Sequence, residues 1–101
     1  MTKTLVILMQ AIRDQHLISF VYGDDPLGRL VEPYAIFPRS DDLIMDGRHV
    51  AGYHESDRAQ WKYRQFKLSK ISAIRLERKF ESSNAKYNPE SKLYNNALIK
   101  R

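Results

Sequence analysis

The segment from residue 58 to residue 79 is rich in side chains that bind phosphates and nucleobases. It contains eight basic residues, Arg58, Lys62, Arg64, Lys67, Lys70, Arg75, Arg78 and Lys79, with three interleaved aromatic residues, Trp61, Tyr63 and Phe66. Basic side chains contact phosphates while an exposed aromatic ring stacks on a base, and single-stranded nucleic acid is often held in this way. The segment therefore predicts a binding surface for nucleic acid or a nucleotide-like anion. The alternative is a solvated charged surface whose aromatic residues belong to the core.

A second group has the residue types of a metal site, namely His49, His54, Glu55 and Asp57. If the two histidines share a strand, their odd separation places them on opposite faces, where they cannot bind one ion without a bulge. His16 has only Asp14 nearby and is interpreted as a surface histidine. Because the chain also lacks the common nucleotide-loop, zinc-protease and serine-hydrolase motifs, we predict neither metal, cofactor nor catalytic residue.

The charge of the chain is unevenly distributed. The 101 residues carry a net charge of +5, but residues 1–57 hold five basic against nine acidic residues, and residues 58–101 hold twelve against three. Such an imbalance indicates an anionic partner, although a merely soluble basic surface would look the same. The chain has no cysteine, and its longest apolar run, from Leu5 to Met9, is far shorter than the roughly 20 residues of a membrane helix. We therefore expect a cytoplasmic protein without a membrane partner.

The hydrophobic pattern predicts one helix followed by short strands. Leu5, Leu8, Met9 and Ile12 recur at helical spacing within residues 2–15. Strands are predicted over residues 17–22, 29–37, 43–45, 49–54, 61–68 and 73–77. Pro33 indicates an edge position or a bulge, and Asp46-Gly47 indicates a hairpin turn.

These elements favour a mainly β fold with an N-terminal helix. The connections are too short for helical crossovers, so we predict a small antiparallel SH3-like barrel or a strongly bent sheet. A single domain is expected over residues 1–80. Residues 81–101 are expected to form a polar tail, in which Asn88-Pro89-Glu90 offers the start of a short C-terminal helix that either docks or frays.

The order of several segments resembles the WYL domain over about residues 5 to 80. The segments are Ala11-Ile12-Arg13, Leu17-Ile18-Ser19-Phe20-Val21-Tyr22, Arg29-Leu30-Val31-Glu32-Pro33-Tyr34 and Tyr63-Arg64-Gln65-Phe66-Lys67-Leu68-Ser69-Lys70-Ile71. The resemblance implies a small Sm-like β-barrel that senses ligands or binds nucleic acid and is not known for catalysis. Domains of this family are commonly part of transcription regulators and are also seen with phage-defence systems.

The resemblance also implies which side chains contact a ligand. Arg29, Arg64 and Lys67 correspond to basic residues that the family carries on its strands, and we expect them at the centre of the site. Residues expected at its margins are Arg48, Arg58, Tyr53 and Trp61. The tripeptide that names the family falls on Leu43-Ile44-Met45, so any pocket there has lost both aromatic rings.

The leading hypothesis is a non-enzymatic regulatory module whose basic barrel face binds single-stranded nucleic acid or a nucleotide-like anion. The alternative is a protein interaction or oligomerisation module that acts through an exposed strand edge or through the apolar strand at Leu43-Ile44-Met45. Either function allows a homo-oligomer or a partner protein that carries the output activity.

Overall fold

The chain begins with one helix and continues as antiparallel strands. The computed structural model describes residues 2–25, 28–51, 62–80 and 88–100. Helix α1 spans Thr2–Asp14, and the strands are β1 His16–Tyr22, β2 Arg29–Arg39, β3 Asp42–Ala51, β4 Lys62–Lys67, β5 Ile71–Lys79 and β6 Ile99–Lys100. Two single 3₁₀ turns lie at Leu68–Lys70 and Lys92–Tyr94.

Helix α1 packs on one face of the sheet through the predicted apolar stripe. Leu8 and Ile12 are fully buried, and Leu5 and Met9 are partly buried against the same cluster. The members of this main core are Leu8, Ala11, Ile12, Ile18, Phe20, Val31, Ile36, Met45, Phe66, Leu68 and Ile71. We call the side of the sheet that carries this core the helix face. Removal of these side chains from water is the main force that holds α1 in place.

The strands form one antiparallel sheet in the order β4-β3-β2-β1-β5. No ladder joins β4 to β5 within the described residues, so the sheet is open and the predicted closed barrel is not confirmed. The sheet is nevertheless strongly bent, because the three-residue turn Leu68–Lys70 connects its two outer strands. The backbone N–H of Lys67, on β4, also donates a hydrogen bond of 2.9 Å to the hydroxyl of Tyr22, on β1.

Strand β3 is continuous where the sequence predicted a hairpin turn at Asp46-Gly47, and that prediction is wrong. A Cβ atom at Gly47 would lie 2.6 Å from Val31 Cγ1 and 2.8 Å from the carbonyl oxygen of Glu32. Glycine is therefore required here because β2 approaches closely, which is the second common reason for glycine inside a strand.

Pro33 lies at an irregularity of the ladder between β2 and β3, as predicted. The register passes from Pro33↔Gly47 to Ala35↔Asp46, so Tyr34 is an extra residue on β2. A bulge accommodates proline because no ladder hydrogen bond is required from its nitrogen. The bulge gives an inner strand a position that proline tolerates.

The opposite side of the sheet, which we call the tail face, is covered in part by the C-terminal segment. Ala35, Phe37 and Ile44 form a small buried cluster there with Tyr94. Residues 88–100 contain turns, one 3₁₀ turn and strand β6, so the predicted C-terminal helix is absent from this described segment. A strand forms here instead of a helix because backbone groups of β2 at residues 35 and 36 need hydrogen-bond partners. Strand β6 provides them by pairing with β2.

Candidate functional site

The two basic residues of β4 that were predicted at the centre of the site lie on opposite faces of the sheet. Arg64 lies two residues before the buried Phe66 on β4, so it shares the helix face with Phe66, where it is exposed. Lys67 is exposed on the tail face, paired in register with Ile44. Three residues of strand also separate Arg64 and Lys67 by about 10 Å. A compact ligand can therefore contact only one of these two side chains. Contact with both requires an extended ligand.

Arg29, the third predicted central residue, is largely enclosed on the helix face. Its side chain is 13% exposed and forms an ion pair with Asp25, at 3.2 Å. Its guanidinium carbon lies 5.4 Å from the ring centroid of Tyr22 and 5.9 Å from that of Phe66. The flat guanidinium group is thus held by a carboxylate and two rings, a geometry that suits Arg better than Lys.

Arg48, predicted at the margin, is ion-paired on the tail face. Its Nε and Nη2 donate to the two carboxylate oxygens of Glu32 at 2.9 and 3.1 Å. The hydroxyl of Tyr34 donates to the same carboxylate at 2.6 Å. Glu32 is 3% exposed, so this bidentate pair satisfies a charge that would otherwise be costly to bury.

Three other residues were predicted at the margins of the site, namely Tyr53, Arg58 and Trp61, and all three lie outside the described residues. The same is true of His54, Glu55 and Asp57, which were considered for a metal site. His49, the fourth, is half-buried on β3. Among the described residues, no group of three or more potential metal ligands comes together.

A cavity of about 270 Å³ lies on the tail face, where β2 turns into β3. Its lining residues are Arg39, Ser40, Asp41, Asp42, Ile44 and Lys67. Arg39 and Lys67 form no ion pair in the part of the chain that the structure describes. Two cations that line one concave surface and form no ion pair among the described residues are suited to an anionic group.

The carboxylate of Asp42 is already held by the protein. Ser69 Oγ donates to one oxygen at 2.6 Å, and the backbone N–H of Leu43 donates to the other at 2.8 Å. The Ser69 hydroxyl is the main cause that lowers the pKa of Asp42, and the nearby charge of Lys67 adds to it. Asp42 is therefore a fixed negative charge at neutral pH that helps to position its neighbours.

Arg39 is the residue of this cavity that sequence reasoning missed. It follows Pro38, between the strands predicted over residues 29–37 and 43–45. In the structure, Arg39 ends β2 and faces Asp42 in register, and Ser40 takes a left-handed backbone conformation with φ of 54°. The proximity of Arg39 to Lys67 depends on the pairing of β2, β3 and β4, for which the local sequence carries no signal.

Strand β5 contributes further exposed cations at the edge of the sheet. Arg75, Arg78 and Lys79 on β5 are exposed, as is Lys70 in the preceding 3₁₀ turn. The one acidic residue of the strand, Glu77, accepts a hydrogen bond from Ser19 Oγ at 2.6 Å, and its carbonyl oxygen accepts one from His16 Nδ1 at 2.7 Å. His16 is thus half-buried and hydrogen-bonded to the backbone of β5.

The strand proposed for the alternative function lies inside the sheet. Leu43, Ile44 and Met45 belong to β3, which pairs with β2 on one side and β4 on the other. Ile44 and Met45 are buried. This segment therefore offers no free backbone edge for a partner strand.

Within the described residues, no helix has the length and apolar character needed to cross a membrane.

No curated protein and no solved structure matches this chain. A family model described as the WYL domain matches residues 3–76, from the first turns of α1 into β5. The WYL domain is generally a regulatory, ligand-sensing domain. Because the match covers most of the chain, from the helix to the strand that carries Arg75, this protein belongs to the WYL domain family.

Proposed function

We propose that this WYL domain senses a nucleotide-like anion, free or within single-stranded nucleic acid, in the cavity between Arg39 and Lys67. The observation that carries the proposal is that both cations line one cavity of about 270 Å³ without an ion-pair partner among the described residues. Arg binds phosphate oxygens with two parallel N–H groups, and Lys adds a mobile point charge. The volume is slightly below the ~300–1,000 Å³ of typical small-molecule pockets, which suits one nucleotide unit.

The acidic residues of the cavity select the class of anion. Asp41 and Asp42 balance the two cations, so the lining attracts a phosphate by directed contacts rather than by net charge. Carboxylates accept hydrogen bonds from the amino groups of nucleobases. A nucleotide offers both a phosphate for the cations and donors for a carboxylate, whereas a simple polyphosphate offers only negative charge.

A second feature favours a nucleic-acid chain over a free nucleotide. Exposed basic residues continue from the cavity along the 3₁₀ turn and β5: Lys67, Lys70, Arg75, Arg78 and Lys79. None of them forms an ion pair within the described ranges. A series of cations of this kind provides contacts for successive phosphates, and its binding weakens as salt increases.

The test is a titration of a fluorescent single-stranded oligonucleotide with the purified protein at two salt concentrations. We expect the logarithm of affinity to fall with log salt by about 0.7 per phosphate neutralised. The double variant Arg39→Ala, Lys67→Ala should weaken binding by about 1–3 kcal/mol for each of the two side chains truncated. A mononucleotide competitor then shows whether one unit is enough.

The matched control removes the same charge elsewhere. Lys3 and Arg13 are exposed on α1, and the variant Lys3→Ala, Arg13→Ala should bind nearly as the unaltered protein does. Equal losses of affinity in the two double variants would contradict a site in the cavity and leave only a general charge effect. Absence of binding at low salt, with a mass that rises with protein concentration, would favour the interaction module instead.

A further inference from the structure

The C-terminal segment lies beyond the residues that match the family and docks on the tail face. Strand β6 pairs with β2 through Ala35↔Lys100 and Ile36↔Ile99. The backbone N–H of Leu98 also donates to the carbonyl oxygen of Ile36 at 2.8 Å. The segment therefore occupies the edge of β2 just beyond the residues that pair with β1, the last of which is Val31.

Tyr94 anchors this segment on the tail face, while Ile99 packs against the main core on the helix face. Its ring is 5% exposed and packs edge-on against Phe37, with 5.6 Å between centroids and 67° between planes. Its hydroxyl donates to the carboxylate of Asp46, which is itself 1% exposed. The ring and the hydroxyl together thus hold Tyr94 in one orientation.

The packing continues from Tyr94 to the cavity. The guanidinium carbon of Arg39 lies 5.5 Å from the ring centroid of Phe37, which is buried. Ile44, which packs in one cluster with Phe37 and Tyr94, also lines the cavity. Tyr94 supports one side of the Phe37 ring, and Arg39 lies over that ring.

We infer that Tyr94 is a positioning residue for the cavity and that docking of residues 88–100 is thermodynamically linked to ligand binding. This inference rests on the proposed function, since it concerns the same cavity. A docked segment holds Phe37, and Phe37 restricts the guanidinium of Arg39 to orientations that face the cavity. By reciprocity, a ligand that binds Arg39 stabilises the docked segment by the same factor.

The first test is a double-mutant cycle on the full chain, with the fluorescent single-stranded oligonucleotide as probe. Tyr94→Ala should weaken binding by about fivefold or more, the lower end of typical coupling between sites. Tyr94→Phe should restore most of the affinity, because it keeps the ring against Phe37. In the Arg39→Ala background, Tyr94→Ala should have no further effect, since Tyr94 acts through Arg39.

A matched control separates positioning from general loss of stability. Phe80 is buried in a different cluster, with Leu17, Tyr34 and Val50. Phe80→Ala removes an aromatic ring of similar burial, and its affinity for the oligonucleotide should stay within about twofold of the unaltered protein. Equal losses of affinity for Phe80→Ala and Tyr94→Ala, or additive losses for Tyr94→Ala and Arg39→Ala, would overturn the inference.

Hydrogen exchange tests the reverse direction without any substitution. The Leu98 amide is protected through its bond to Ile36, so its exchange rate reports undocking of the segment. Saturating oligonucleotide should slow that exchange by the factor that Tyr94→Ala costs in affinity. If the protein binds the oligonucleotide and Leu98 exchange is unchanged, the linkage is wrong and the proposed function stands. If the unaltered protein does not bind, both are overturned.

Discussion

The basic residues of this sheet divide into two groups that look alike in the sequence. Arg29 and Arg48 are enclosed by Asp25 and by Glu32, respectively, and their charges contribute to the fold. The cations of the cavity, Arg39 and Lys67, have no ion-pair partner among the described residues. The comparison shows that a basic residue whose charge the fold already uses in an ion pair is a weaker candidate for ligand contact than one for which the described residues form no ion pair. Substitutions in and around both groups test this division.

The largest expected effect is the loss of stability in Glu32→Ala. The substitution leaves the guanidinium of Arg48 and the hydroxyl of Tyr34 without their shared acceptor in a buried place. Removal of one partner of a buried ion pair typically costs about 3–5 kcal/mol. The measurement is the free energy of unfolding from urea denaturation.

Asp25→Ala is the comparison for Glu32→Ala. The side chain of Asp25 is 27% exposed, so its ion pair with Arg29 is better solvated than that of Glu32. We expect a loss of under about 1 kcal/mol, as for surface ion pairs. Equal losses of stability for Asp25→Ala and Glu32→Ala would show that burial does not determine how much these ion pairs stabilise the fold.

Gly47→Ala should be the next most damaging substitution, by about 1–3 kcal/mol, because it overpacks the interface between β3 and β2. The added Cβ would lie 2.8 Å from the backbone oxygen of Glu32, which cannot rotate away as a side chain would. Gly28→Ala is the control, since no atom lies within 4 Å of a Cβ at that position. Thermal denaturation that finds the two variants equally stable would contradict the close approach.

Exchanges between Arg and Lys should have opposite outcomes in the two groups. Arg29→Lys loses the flat group that lies near Tyr22 and Phe66 and should cost about 1 kcal/mol of stability. Lys67→Arg should leave stability within about 0.5 kcal/mol and strengthen oligonucleotide binding, because Lys67 is exposed and Arg binds phosphate with two N–H groups. Urea denaturation and titration of both variants check the contrast, and weaker oligonucleotide binding by Lys67→Arg would contradict the proposed role of Lys67.

The smallest effect concerns the pKa of Asp42. The Ser69 hydroxyl holds this pKa below its ordinary value of 3.8, so the carboxyl group binds its proton more weakly in the folded than in the unfolded chain. The stabilisation is therefore complete above the ordinary pKa and is lost as the pH falls through the lowered value. In Ser69→Ala the pKa should rise toward the ordinary value, which an NMR titration of the Asp42 carboxyl measures. Ser72→Ala, an exposed serine on β5, should leave it unchanged.

Much of the fold could be predicted from local patterns. The helical stripe from Leu5 to Ile12 and the bulge at Pro33 are both present, since each depends on neighbours in the sequence or on the chemistry of one residue. The hairpin at Asp46-Gly47 was wrong because glycine serves turns and close approaches equally well. The close approach of Val31 and of the Glu32 carbonyl oxygen on β2 distinguishes the two cases.

The candidate site was less predictable than the fold. Lys67 was expected in it and lines the cavity, whereas Arg39 was missed and Arg64 lies on the other face of the sheet. Because Arg64 and Lys67 are three residues apart, strand alternation places their side chains on opposite faces of the sheet once both belong to β4. This separation could have been predicted from the sequence. The contribution of Arg39 required the register of β2 with β3, which joins residues through tertiary contacts.

The sequence by itself determined the N-terminal helix, the mainly β class of the fold, the uneven charge and membership of the WYL family, because these depend on local composition and short motifs. Tertiary structure alone decided which cations are paired, where Gly47 is needed and how the C-terminal segment docks. Those outcomes rest on contacts between residues far apart in the chain, such as Arg48 with Glu32 and Tyr94 with Asp46. The sequence specifies the charge of a side chain, but the fold decides which residue forms an ion pair or a hydrogen bond with it.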